Sequence, residues 1–169
     1  MKMTKRKWAI VLFTGILIVI SALALLIALF KARGEARRES CLSNLRGIGF
    51  AIRMYSMEYK GNLPPYDNAK GLEMLRSGGY LENIRMFACP SVEKRHIPDG
   101  SQVTEEVTDY CYKGGLTEES PIQLLMWDKP DNHKDFGNAL YSDGGVQGFK
   151  GKDWLDKAAK AAKEVNSPK

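Results

Sequence analysis

The chain has 169 residues and a formal net charge of +5, from 25 lysines and arginines against 20 aspartates and glutamates. Lys2, Lys5, Arg6 and Lys7 supply four of those cations and no acid precedes Glu35, so beyond residue 30 the balance is 21 to 20. The basicity sits in the N-terminal tail and is no footprint of nucleic-acid binding; no internal repeat or low-complexity tract is present.

In chain order, residues 1–7 form a basic tail and residues 8–30 a transmembrane helix. The run of twenty-three residues from Trp8 to Phe30 carries no charge, and Thr14 and Ser21 are its hydroxyl side chains. At about 1.5 Å per residue it reaches roughly 34 Å, enough to cross a hydrocarbon core of about 30 Å with some tilt. A cleaved secretory signal is the competing reading. Its apolar stretch would be about 7–15 residues and would end in a small-x-small site, whereas this run is longer and ends Leu29-Phe30-Lys31-Ala32-Arg33. The expectation is an uncleaved, single-pass anchor. Cations flank both sides, with Lys31, Arg33, Arg37 and Arg38 on the far one. The short, densely cationic tail favours an N-in orientation that puts the C-terminal domain outside the cytoplasm.

Residues 31–59 read as a continuation of the same helix. Lys31 to Ser40 is charged on every face, as a solvated stalk would be. Cys41, Leu45, Ile48, Ile52, Tyr55 and Tyr59 then recur at intervals of four and three, which puts them on one stripe and predicts that the domain grips the second half. This stripe is expected to pack on a sheet containing Leu124, Met126, Leu140 and Tyr141. Gly61-Asn62-Leu63-Pro64-Pro65 ends the helix.

Residues 60–151 read as a small α+β domain and residues 152–169 as a C-terminal helix and tail. Asn68 can cap a short helix from Ala69 to Ser77, with Leu72 and Leu75 inward and Gly78-Gly79 closing it. Tyr110-Cys111-Tyr112 and Ile122 to Trp127 read as strands. Asn138 to Ser142 and Val146 to Phe149 flank Asp143-Gly144-Gly145, a hairpin signal because both positions of an Asp-Gly turn tolerate positive φ. Lys152 to Val165 has good helix propensity and is expected to dock weakly.

Few side chains carry chemistry. His96, in a polar loop, and His133, before the hairpin, do not make a metal site by spacing. Asp128, Asp131 and Asp135, with Asn132, surround His133, and such hard oxygen ligands could hold Ca²⁺ if the loop folded around an ion. The EF-hand spacing is absent, so a solvated acidic turn is the simpler reading, and no other cofactor is read. Cys41, Cys89 and Cys111 allow three pairings with one thiol left over; in an oxidising space a bridge would staple a small domain. Cys89, His133 and Asp143 could form a nucleophilic set. Structural cysteines are the preferred reading, with His133 hydrogen-bonding Asp143 to pin the hairpin to the sheet.

Several of these segments together carry a resemblance. A membrane helix runs into a solvated one, followed by Cys41-Leu42-Ser43-Asn44-Leu45-Arg46-Gly47-Ile48-Gly49 with Met54-Tyr55. Then come Phe87-Ala88-Cys89-Pro90-Ser91 and Trp127-Asp128-Lys129-Pro130, and finally His133, nine residues, and Asp143-Gly144. This resembles the prepilin-like proteins of the "His, nine residues, Asp-Gly" class, relatives of type II secretion pseudopilins, over roughly residues 31–150. The resemblance implies a type IV pilin-like α+β fold, in which a long N-terminal helix packs on a small antiparallel sheet displayed outside the cytoplasmic (inner) membrane. It implies no enzymatic activity, favours a Cys41–Cys89 bridge, and adds that some secretion pseudopilins bind Ca²⁺ in a C-terminal loop. The chain departs from the family at the prepilin cleavage site, where Gly followed by Phe-Thr-Leu-Ile-Glu is replaced by Lys7-Trp8-Ala9-Ile10-Val11-Leu12.

The expected function is that of a membrane-anchored, non-enzymatic pseudopilin-like component of a type II secretion or pilus-like system. Its partners would be the membrane and other pilin-like subunits or secretion-system proteins, with no nucleic acid. The alternative is an uncleaved, membrane-tethered extracytoplasmic binding module built on the same fold.

Overall fold

A computed structural model describes residues 5–92 and 97–166. The element order is α1 (Lys5–Glu58), α2 (Asn68–Ser77), a 3₁₀ turn (Ile84–Phe87), β1 (Tyr110–Tyr112), β2 (Leu124–Asp128), β3 (Phe136–Tyr141), β4 (Val146–Lys150) and α3 (Trp154–Asn166). Two compact units result, residues 1–37 and residues 38–169.

The first unit is the apolar part of α1. From Leu12 to Phe30 its large hydrophobic side chains are exposed, Leu12 at 61% and Phe30 at 70%. A helix buried in a protein core would hide such residues; here the protein covers none of the most apolar window, which has a mean hydropathy of 2.8. It is the one described helix long and apolar enough to cross a membrane.

In the second unit the stripe on α1 is buried as its spacing predicts. Cys41, Leu45, Ile48, Ile52 and Tyr55 lie in the main core, joined by Ala51. Tyr59 is the exception: it falls beyond the helix end, is 46% exposed, and stacks on Tyr55 with ring centroids 4.1 Å apart. The helix stops where expected. Lys60 and Gly61 both take positive φ, and Gly61 N–H donates to the Ser56 carbonyl at 2.8 Å, the wide closing bond of a left-handed C-terminus.

The strands form one antiparallel meander in the order β1-β2-β3-β4. Tyr110 pairs with Asp128, Met126 with Leu140, and Leu140 with Val146. The register shifts between Leu124 and Met126, so Leu125 and Met126 both enter the main core with Leu140, Tyr110 and Tyr112. This corrects the expectation that Leu124 and Tyr141 pack on α1. Both face the other side of the sheet, in a second cluster with Ala139, Trp127, Phe149 and α3. A strand sends neighbouring side chains to opposite faces, and Tyr141 follows Leu140.

Helix α3 therefore docks more firmly than its composition indicates. Trp154, Ala158 and Ala162 are buried, and Tyr141 Oη–H donates to the Ala158 carbonyl at 3.0 Å. Asn166 closes the end, its Oδ1 accepting Ile122 N–H at 3.1 Å and its amide donating to the Ile122 carbonyl. Gly137 lies against the Trp154 indole, where a Cβ would come within 2.4 Å of three ring carbons. The clash is with a rigid ring, so Gly137→Ala is expected to cost about 1–3 kcal/mol, read as a lower urea midpoint with a shift in tryptophan emission.

Helix α2 begins one residue earlier than expected and is capped differently. Asp67 is the N-cap residue, and Asn68 has φ +50°. Their carboxamide and carboxylate serve the sheet instead, Asn68 Oδ1 accepting Tyr112 N–H at 3.1 Å and Asp67 Oδ1 accepting Gly114 N–H at 2.8 Å. The free N–H of Ala69 finds Glu105 Oε1 at 3.0 Å. The β3–β4 turn also differs from the Asp-Gly expectation. Gly144 has φ +89° but Asp143 does not take positive φ; its carboxylate accepts Gly145 N–H at 2.9 Å, an Asx turn.

Candidate functional site

The chemically distinctive place is where α1 enters the domain. Cys41, on the first buried turn of α1, is bonded to Cys89, with Cα atoms 5.4 Å apart and a sequence separation of 48. Cys89 follows the 3₁₀ turn on a short extended segment that is held at both neighbours. Asn44 Nδ2–H donates to the Ala88 carbonyl at 3.1 Å, and Cys89 N–H donates to Asp109 Oδ2 at 2.8 Å. Asp109 also accepts, through its carbonyl, from Lys129 N–H at 2.9 Å and from the Asn132 amide. One residue thus ties the cysteine segment to the β2–β3 loop.

That loop delivers His133. Its ring is 3% exposed, with Nε2 3.5 Å from Cys89 Sγ and 3.2 Å from Asp128 Oδ2. Asp128 ends β2 and is fully buried. The same Oδ2 accepts Asn138 N–H at 2.7 Å and Asn138 Nδ2–H at 2.9 Å across the sheet. Phe136 stands edge-on to the imidazole at 5.6 Å, and the Arg38 guanidinium covers the Phe136 ring at 4.7 Å. The result is a disulfide flanked by an imidazole and a carboxylate, walled off from water. A buried carboxylate is tolerable because three donors meet one of its oxygens.

The sequence-derived candidates sort clearly. The Cys41–Cys89 pairing is present, and Cys111 is the free thiol, half-buried on β1, where burial pushes it above the ordinary thiol range. His133 pairs with a carboxylate, but the partner is Asp128 and not the expected Asp143. Asp143 lies exposed at the hairpin tip, bonded to Gly145, so the set Cys89, His133, Asp143 does not form. The sulfur of Cys89 is moreover held in the bridge. The carboxylate of Asp128 turns into the core, whereas Asp131 and Asp135 are exposed. Among the described residues, the cluster of side chains whose ligand atoms lie within 4.8 Å of one another is Cys41, Cys89 and His133. His96 lies outside the described residues. Asn138 and Asp109 are not singled out in the sequence, and Asn132, read there as an oxygen ligand around His133, instead bonds the Asp109 carbonyl; the signal available for Asn138 was a polar residue inside a strand-like run, which a buried site must partner.

The ends of the His133 to Gly144 motif serve different places. Asp143 and Gly144 line a groove of about 340 Å³ beside α1, with Arg46, Phe50, Arg53 and Leu140. Arg53 pairs there with Glu118 at 3.3 Å. Next to the groove, Phe50, Met54 and Met57 form an exposed apolar row on α1, Phe50 at 69% and Met57 at 78%.

In the unfolded chain, the bridge closes a loop of 48 residues, a constraint worth about 4 kcal/mol by loop-closure entropy. Cys41→Ser is expected to lower stability by about 2–5 kcal/mol, measured by denaturant titration in detergent, whereas Cys111→Ser should leave it within about 1 kcal/mol of wild type. The chain matches no protein-family model, no curated protein and no solved structure. One N-terminal helix long and apolar enough to cross a membrane, followed by a small α+β domain, is consistent with a membrane-anchored accessory protein in general.

Proposed function

We propose that the chain is a pilin-like structural or assembly subunit, anchored by α1 in the cytoplasmic membrane with its domain on the outer side and without enzymatic activity. The observation that carries this reading is α1 itself. A single helix of 54 residues is exposed and apolar in its first part, then enters the core of a four-stranded meander by one stripe while leaving a second apolar row bare. A helix that spends its second face on neighbouring subunits has a use for Phe50, Met54 and Met57; a free-standing anchor has none. The buried disulfide is in keeping with an oxidising space. The lack of Gly-Phe-Thr-Leu-Ile-Glu around Lys7 to Leu12 favours a subunit that stays uncleaved at that point.

A phosphatase fused after Lys169 should be active, and a cytoplasmic reporter there inactive. A photo-crosslinking residue at Met57 should then capture pilin-like subunits or other secretion-system proteins in intact membranes, while one at Arg37 captures none. The reverse reporter pattern would contradict the topology, and silence at Met57 would contradict assembly. The groove of about 340 Å³ with its two arginines supports a second reading, a tethered binding module. In that case Arg46→Glu would abolish function with crosslinking at Met57 absent.

A further inference from the structure

The Cys41 and Cys89 sulfurs and His133 Nε2 lie within 4.8 Å of one another, all from buried or nearly buried side chains. Asp128 adds a carboxylate 3.2 Å from the same nitrogen. Only one of its oxygens is used. Asp128 Oδ1 is buried and meets no hydrogen-bond donor among the described residues. A staple needs none of this: a disulfide is neutral, and an imidazole and a half-satisfied carboxylate set against it bring a polar cost that apolar side chains would avoid. Two sulfurs and an imidazole nitrogen gathered within 4.8 Å are three ligands of a zinc centre, and the Asp128 carboxylate, with a spare lone pair, lies beside the nitrogen but outside that cluster, so a shift of its side chain would complete a tetrahedron.

We propose that Cys41 and Cys89 alternate between a disulfide and a zinc site, and that in the reduced chain Cys41, Cys89 and His133 hold one Zn²⁺, with Asp128 moving in from beside the imidazole as the fourth ligand. The exchange balances. A dithiol reductant gives two electrons and two protons to the S–S bond and closes to its own disulfide, leaving two protein thiols. Zn²⁺ then replaces both thiol protons, which pass to buffer, and the imidazole, whose hydrogen points from Nε2 to Asp128 beside the disulfide, shifts that hydrogen to Nδ1 and presents its Nε2 lone pair. Zinc bonds of about 2.3 Å set the two sulfurs about 3.7 Å apart, a gap that side-chain rotation can open at a Cα separation of 5.4 Å. Thiolate and imidazole ligands select zinc, whereas Ca²⁺ requires a shell of oxygens. Either state ties the same three pieces together: α1, the segment after the 3₁₀ turn, and the β2–β3 loop. The domain could therefore hold its fold before oxidation as well as after it.

The test uses the full chain, reduced in denaturant to three free thiols, returned to metal-free detergent buffer with a phosphine reductant, and titrated with Co²⁺ and then Zn²⁺. The expected result is uptake of one Co²⁺ per chain, with a thiolate-to-cobalt charge-transfer band and tetrahedral d–d absorption that one equivalent of Zn²⁺ abolishes. The oxidised chain should give neither band. His133→Ala, whose oxidised form reports that the variant still folds, should weaken uptake by more than the roughly 10- to 100-fold lost with an outer-shell partner; Cys111→Ser should leave it unchanged. An octahedral cobalt spectrum, uptake unaffected by His133→Ala, or a reduced chain that neither binds zinc nor is refolded by it would overturn the proposal.

Discussion

Ile48→Asp is expected to lose most of the stability of the domain. Ile48 is fully buried at the middle of the α1 stripe, between Leu45 and Ile52 and under the sheet. The substitution forfeits about 1.5–3 kcal/mol of apolar burial and puts a carboxylate where no donor waits for it, at a further cost of several kcal/mol. Small domains have about 5–15 kcal/mol in all. Arg37→Asp, on the solvated stalk, should stay within about 0.5 kcal/mol of wild type. Urea titration of both variants in detergent, followed by tryptophan emission, checks the contrast. Equal midpoints for Ile48→Asp and wild type would mean that α1 does not enter the core.

Asp128→Ala should come second in size. Its removal strands three donors at once, the Asn138 backbone and side-chain N–H groups and His133 Nε2–H. Breaking a buried pair by deleting one partner typically costs about 3–5 kcal/mol. Asp128→Asn keeps an acceptor for Asn138 and should lose less. The readout is again the urea midpoint at constant slope. If the alanine variant were as stable as wild type, the buried network around the disulfide would have no energetic role.

The architecture was legible where hydrophobic spacing dictated it. The uncharged run of twenty-three residues from Trp8 to Phe30 is long and apolar enough to cross a membrane, and the stripe from Cys41 to Tyr55 follows directly from helical geometry. On β3 the sides were legible, since Tyr141 follows Leu140 and must face away from it; on β2 they were not, because a one-residue irregularity between Leu124 and Met126 redirects the strand and no local residue preference announces such a shift. Helix α3 was underrated for a related reason. Beyond Trp154 its buried face is made of small residues, Ala158 and Ala162, whose value lies in letting the helix approach Tyr141 rather than in their own hydrophobicity. At the site, His133 and the Cys41–Cys89 pair were visible as residues, yet the acid beside them was not. Asp143 is tied to His133 by the sequence motif, whereas Asp128 reaches it by strand pairing and by the loop that folds His133 back. Sequence proximity ranks such partners poorly; only the fold chooses between them.

The central claim is that one helix serves two solvents in succession, lipid and then a protein core. Hydrogen exchange of the full chain in lipid nanodiscs, read by mass spectrometry along α1, tests it most directly. The account predicts slow exchange across residues 12–30 and again across 41–56, matching the sheet peptides that contain Met126 and Leu140, with faster exchange across the solvated stalk between them. Exchange across 41–56 as fast as that of the stalk, with the sheet still protected, would contradict it.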